Sequence, residues 1–250
     1  MLITTKYGKR MLIDGGEDND ILLPYLLNRG IKKIDYLIIS HFDSDHYAGI
    51  TSILGKIRIK NIIISKQCEK NYGFEEFIKL ASQHSINIIT VNAEDKIPVD
   101  KETKIDILWP TETSLDAMNL NDNSIVAKIN YGEISILCTG DISENVEEIL
   151  IDTYSDEVLE AEILKVAHHG SSTSNSLEFI EKVKPKIALI GVGKNNKFGH
   201  PKTEVLENLE KVGSRIYRTD KDGEIIVNIN KKREYKNKNL HKWKIMYNLK

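Results

Sequence analysis

Four side chains able to hold a cation stand within six residues: His41, Asp43, Asp45 and His46, in Ser40-His-Phe-Asp-Ser-Asp-His46. They follow Leu37-Ile-Ile-Ser40, which reads as a buried strand, and they precede a helical stretch. A tight turn there can aim His41 and Asp43 at one metal and Asp45 and His46 at another. Imidazole mixed with carboxylate suits zinc, manganese or iron. A polar loop with capping carboxylates is the plainer reading, but two His and two Asp exceed what capping uses.

Three further segments carry candidates. Asp141 closes Ser135-Ile-Leu-Cys-Thr-Gly-Asp141, where a carboxylate can bridge two cations or cap the next helix. His168 and His169 lie in Lys165-Val-Ala-His-His-Gly-Ser-Ser172. That run reads as a ligand followed by an anion-binding loop of Ser171 and Ser172, or as a hydrogen-bonded surface pair. His200, before Pro201, fits a ligand, an acid, a phosphate contact or a structural turn histidine.

Each segment follows a run with strand character, and binding groups sit on such loops when a rigid scaffold carries them. Strands are expected at 10–14, 36–40, 61–65, 87–91, 104–109, 125–131, 134–139, 162–167, 186–192, 215–219 and 224–229. Helices are expected at 20–28, 47–54, 74–84, 144–151, 176–183 and 203–212. Tyr131-Gly-Glu joins two strands as a hairpin. The order is not a strict β-α alternation, which predicts an α/β fold of two mixed sheets flanked by helices. No repeat or linker divides residues 1–230.

The 250 residues are 40% apolar and 29% charged, with a formal net charge of −2, a soluble globular balance. The charge is uneven: 231–250 carries eight Lys/Arg against one Glu, near +7, which leaves the rest near −9. This basic tail interleaves Lys with Tyr235, Trp243 and Tyr247, as single-strand binders do. A frayed terminus and docking of Trp243 and Ile245 on the body are the alternatives. Cys68 and Cys138 form neither a disulfide framework nor a Cys-x-x-Cys motif, so a reducing, cytoplasmic compartment is expected. No apolar run approaches the ~20 residues of a membrane span, and no membrane partner is expected.

Taken in order, these motifs resemble the metallo-β-lactamase superfamily, and within it the hydrolase domain of ComEC-type DNA-uptake proteins. The resemblance rests on Leu12-Ile-Asp-Gly-Gly16, His41 to His46, Asn121-Asp-Asn-Ser-Ile125, Thr139-Gly-Asp141, Lys165-Val-Ala-His-His-Gly-Ser171 and Phe198-Gly-His-Pro201. Tyr217-Arg-Thr-Asp220 with Gly223 also fits. It implies an αββα sandwich with one or two divalent metals at one edge. His41 and Asp43 would face one metal; Asp45, His46 and His168 would face the other; Asp141 would bridge. His169 and His200 would flank the substrate as proton donors, and Asp45 or Asp141 would orient a metal-activated hydroxide. Asn123, Ser171, Ser172 and Lys165 are the expected substrate contacts, with Lys194 and Lys197 as candidate backbone contacts.

Two departures from the superfamily pattern point to the ComEC-type branch. Asp43 replaces a histidine, and Asn121-Asp-Asn-Ser124 replaces a later one. The oxygen-richer site accommodates zinc or manganese, and magnesium becomes plausible. The expected activity is hydrolysis of a phosphodiester in nucleic acid or a nucleotide. The alternatives are another ester or thioester, or a subunit of a multi-protein system with a degenerate site. The family's opening strand and its Asp-Val-Gly-Gln-Gly-Asp-like turn are absent before Met1, which predicts an unpaired sheet edge that a protein partner would cover.

Overall fold

A computed structural model describes residues 1–66, 72–113, 119–229, 235–236 and 244–247. The first sheet contains β1 (Leu2–Thr4), β2 (Arg10–Ile13), β3 (Lys33–Ile38), β4 (Arg58–Ser65) and β5 (Asn87–Val91). The second contains β6 (Lys96–Pro98), β7 (Thr103–Trp109), β8 (Val126–Tyr131), β9 (Ile134–Cys138), β10 (Ile163–Lys165), β11 (Ile187–Ile190) and β12 (Arg215–Arg218). The chain then returns to the first sheet with β13 (Ile225–Ile229), β14 (Tyr235–Lys236) and β15 (Lys244–Tyr247). Strand order is β14-β13-β15-β1-β2-β3-β4-β5 in one sheet and β12-β11-β10-β9-β8-β7-β6 in the other. Both are mixed, as the sequence predicts.

Strand alternation builds the layers. On β3 and β4, Ile38 and Ile63 point between the sheets, while Leu37, Ile62 and Ile64 point to the helices. The inter-sheet core is mostly Ile, with Ile13, Ile105, Ile129, Ile136 and Leu189 at its centre. Helices α1 (Leu22–Asn28), α2 (Ser44–Thr51) and α3 (Tyr72–Gln83) flank the first sheet. Helices α4 (Glu144–Thr153), α5 (Asp156–Leu159), α6 (Leu177–Val183) and α7 (Thr203–Lys211) cover the second, and the short α8 (Thr219–Asp222) follows β12. β9 and β11 are buried on both faces, so β11 reads as an unbroken apolar run and β9 as one interrupted only by Ser135.

The architecture aims the loops. β2, β3 and β4 run parallel, as do β9, β10, β11 and β12. The segments after β2, β3, β9, β10 and β11 contain Asp14, His41–His46, Asp141, His168–His169 and His200 respectively. Parallel pairing delivers the loops of each sheet to the same end of the sandwich.

Three expectations are corrected. The second helix begins at Ser44 rather than 47, because Asp43 adopts the extended N-cap backbone (φ −80°, ψ 145°). Asp45 and His46 therefore sit in a helical first turn, not in a loop. The edge of β1 is not bare, because β15 pairs with it in register Leu2↔Met246 and also pairs with β13. A strand from the chain's own basic tail takes the edge expected for a partner. The sequence pattern also missed β1, β6, α5 and α8, all four residues or shorter. Cys68 and Trp243 lie outside the described residues.

Helix α2 is held by backbone contact with the turn after β2. Gly15 N–H donates to His46 O at 2.7 Å, and Gly49 N–H to Gly16 O at 2.8 Å. A Cβ on Gly49 would lie 2.5 Å from Gly15 O, so only glycine permits this approach. Gly49→Ala is expected to destabilise the fold by about 1–3 kcal/mol and to weaken metal uptake, as read by urea unfolding and metal titration.

Candidate metal centre

Asp45, His46, Asp141 and His169 each offer one ligand atom, and these atoms lie within 4.8 Å of one another. His46 Nε2 is 3.2 Å from Asp141 Oδ2 and 3.7 Å from Asp45 Oδ2. His169 Nε2 is 3.3 Å from Asp45 Oδ2 and 3.6 Å from Asp141 Oδ2. Beside this cluster, His41 Nε2 lies 3.7 Å from Asp43 Oδ2, and the His41 and His46 rings are 4.2 Å apart. Asp43 occupies the N-cap position of α2, yet its carboxylate caps nothing. The capping reading of these acids is thus set aside by geometry.

The donor set fits a cation. His41 Nε2, His46 Nε2, Asp141 Oδ1 and His169 Nε2 are buried and have no hydrogen-bond partner. Buried polar atoms left unpaired are costly, and a metal satisfies such atoms together. The far sides of the rings are all engaged. His169 Nδ1 donates to Gly191 O at 2.6 Å, which turns Nε2 inward. His46 Nδ1 lies 3.0 Å from Asp14 Oδ2 and 3.1 Å from Ser40 Oγ, and Ser40 Oγ is 3.1 Å from His41 Nδ1. Asp14 also accepts from Ser40 N–H at 2.8 Å.

Charge follows this wiring. Burial opposes a charged His46, but the carboxylates of Asp141 and Asp14 outweigh it and push its pKa up to about 10. Burial pushes the other way on Asp141 too, yet His46 and Lys165 hold it well below the usual carboxylate range. Asp14 is likewise held low, chiefly by His46 against burial. His168 and His200 are both lowered, first by burial, so each favours the neutral ring.

Several expected roles change. His169, not His168, enters the cluster. Both residues adopt left-handed backbone (φ 47°, ψ 46° and φ 53°, ψ 18°), and this reversal sends their rings different ways. His168 instead faces His200, with ring centroids 5.9 Å apart, and its Nδ1 is 3.4 Å from Thr173 Oγ1. Lys165 is 4% exposed and lies beneath Asp141, with Nζ 3.9 Å from Oδ1, so it is a support and not a substrate contact. Asn123 is fully buried and donates to Lys66 O at 3.1 Å, which removes it from any substrate surface. Its neighbour Ser124 accepts from Asp141 N–H at 3.0 Å, so that segment buttresses the cluster. Ser171 is buried with its hydroxyl on Thr173, whereas Ser172 is exposed at the mouth. Lys194 and Lys197 are exposed.

Asp14, which stands in Leu12-Ile-Asp-Gly-Gly16 without an expected role in the site, supports it together with Glu147 and Asn175, which no motif marked. Asp14 had a signal, a carboxylate at a strand end followed by two glycines. Glu147 had none, since it lies between apolar positions of α4. Its buried carboxylate accepts from Asn175 N–H at 2.6 Å and Ser176 N–H at 2.9 Å. Burial lifts its pKa to about 7 against those donors. Asn175 then holds both backbone groups of Ala167, just before the two histidines.

The chain belongs to the metallo-beta-lactamase superfamily, whose family model matches residues 1–194. Within it, the chain is similar to the ComE operon protein 3 of Bacillus subtilis, with 32% identity over 82% of this chain and 26% of that protein. It is also similar to the recombination protein 2 of Haemophilus influenzae, with 29% identity over 90% of this chain and 27% of that protein. The chain thus spans about a quarter of the length of these ComEC-type relatives. Among solved structures, CmlA, a diiron beta-hydroxylase from Streptomyces venezuelae, shares the fold at TM-score 0.59 and 14% identity, over 87% of this chain and 52% of that one. The family places this chain among metallo-beta-lactamase-fold proteins, and the site supplies a cluster of residue types that could hold a metal ion. No helix among the described residues is long and apolar enough to cross a membrane.

Calorimetric metal titration separates the two neighbouring histidines. His169→Ala is expected to cost far more affinity than His168→Ala. Asp14→Ala is expected to weaken binding by about 10–100-fold with the circular dichroism spectrum unchanged, because Asp14 orients a ligand ring. His46 holds a proton in the metal-free protein, and a cation must displace it. Metal uptake at pH 7 should therefore release about one proton from this group, and affinity should climb with pH toward about 10. Titration in buffers of different ionisation enthalpy measures that release.

Proposed function

We propose that this protein hydrolyses phosphodiesters in nucleic acid or nucleotides, using one or two divalent cations, zinc or manganese with magnesium as a further option. The observation that carries the reading is the convergence of one ligand atom each from Asp45, His46, Asp141 and His169 within 4.8 Å of one another. Asp45, Asp141 and Asp43 make the donor set rich in oxygen, which suits the harder cations used on phosphates. Similarity to a relative named as a recombination protein fits a nucleic-acid substrate.

When bound, the cation supplies Lewis acidity and an activated water. The chain's own groups do the rest. Asp45 is about half exposed (46% for its side chain) and faces both cluster and solvent, so it orients the attacking water. His169 has Nδ1 committed to Gly191 and Nε2 turned inward, which leaves it no proton for a leaving group. His200, whose ring burial keeps neutral, is placed to hydrogen-bond the leaving oxygen rather than to protonate it. Its Nδ1 is buried without a partner, so Nε2 is the nitrogen to meet the leaving oxygen. Ser172 and Thr173, exposed beside His168, are the hydroxyls available to a phosphate oxygen.

Metal analysis combined with turnover of single-stranded DNA, RNA, cyclic dinucleotides and a generic phosphodiester tests this reading. His46→Ala and Asp141→Ala are each expected to lower turnover by more than about two orders of magnitude and to reduce bound metal. Hydrolysis that survives both changes, or a protein that takes up no metal, would sink it.

A further inference from the structure

Phe198 is 75% exposed, far more than the other exposed large apolar side chains among the described residues, of which Leu27 follows at 48%. An exposed phenyl ring gains nothing from the core, so its place calls for a physical reason. Its ring stacks on His200 at 13° between planes, with centroids 5.9 Å apart. His200 in turn meets His168, and His169 beyond it belongs to the metal cluster. The exposed ring is therefore the outer member of a row of three rings, Phe198, His200 and His168, beside the turn that carries the ligand His169.

The row is built firmly. Asn196 grips His200 from both sides, accepting from its backbone N–H at 2.8 Å and donating to its carbonyl at 2.9 Å. Lys202 Nζ donates to the Phe198 carbonyl at 2.8 Å, and Lys202 N–H donates to Gly170 O at 2.9 Å. The loop thus docks on the histidine turn, where a Cβ on Gly170 would lie 2.5 Å from Pro201 Cβ. Burial keeps His200 neutral, so a flat uncharged ring backs the phenyl. Lys194 and Lys197 are exposed on the same loop.

Aromatic faces flanked by cations hold unpaired bases by stacking while the cations follow the phosphates. We infer that Phe198 is a stacking platform for an unpaired nucleobase next to the scissile phosphate, with Lys194 and Lys197 flanking the backbone. This rests on the phosphodiesterase reading above and adds a selection for single strands, because a base inside a duplex has no free face to offer. Phe198 acts on substrate position and not on the bond-breaking step.

The test separates the platform from the chemistry. Binding of a fluorescein-labelled oligothymidylate to the metal-free protein is followed by anisotropy, in parallel with a strand of equal length made of abasic units. Phe198→Ala is expected to weaken binding of the thymidylate strand by about tenfold, Phe198→Trp to retain it, and Phe198→Leu to fall with alanine. The abasic strand and a duplex should bind all four proteins alike. In the metal-loaded protein Phe198→Ala should raise KM for the single strand and leave kcat unchanged. Displacement of the strand by equimolar thymidine monophosphate would mark a free nucleotide as the source of the base; its failure to displace marks the strand. The inference is overturned if wild type does not bind the single strand, if alanine binds it as wild type does, if the abasic strand loses equally, or if leucine matches tryptophan. Failure of the phosphodiesterase reading shows separately, as absent turnover in wild type with the anisotropy result intact.

Discussion

A positive imidazole with no access to water needs negative partners on both sides, and that requirement organises this end of the molecule. His46 is 2% exposed and sits between Asp14 and Asp141. Removing one member of a buried charge set leaves the others unpaired, which costs more than an exposed pair could. The three residues come from a strand end, a helix first turn and a strand end in the opposite sheet. The sandwich must therefore close correctly for any of them to be satisfied. The glycine contact between α2 and the turn after β2, and Lys165 lodged under Asp141, both serve that closure.

The second constraint is backbone strain. Two consecutive non-glycine residues in left-handed conformation cost on the order of 1–3 kcal/mol each and persist only where their surroundings over-determine them. At His168 and His169 the surroundings are Asn175 on the Ala167 backbone, Glu147 on the Asn175 backbone and the Gly191 carbonyl on the His169 ring. The result is one imidazole fixed against the cluster and one turned to the mouth. A relaxed turn would give no such division between adjacent identical side chains.

These two constraints explain what the sequence could and could not disclose. His41 to His46 and Asp141 were legible because their chemistry is local: ligand-type residues directly after apolar runs. The strands themselves were legible because most are short Ile- and Val-rich runs bounded by polar residues. Which of His168 and His169 faces the cluster depends on the left-handed backbone of both residues and a carbonyl twenty-two residues away. Adjacent identical residues give no pattern to read that from. Lys165 and Asn123 are polar residues whose burial depends on the facing sheet, so they passed for surface contacts. Glu147 supports the site from inside an ordinary amphipathic helix. The pairing of β15 with β1 joins segments at opposite ends of the sequence, and the charged tail masked it.

That last pairing sets an order of events during synthesis. Every loop that contributes to the cluster, the last being that of His169, leaves the ribosome before residues 244–247 do. For that interval β1 has its outer edge open, while the histidines and aspartates are already present. A cation captured then would tie the loops of the two sheets together while the first sheet still lacked a strand. The first sheet is therefore completed from the C-terminal end of the chain, after all the loops that build the cluster have been made.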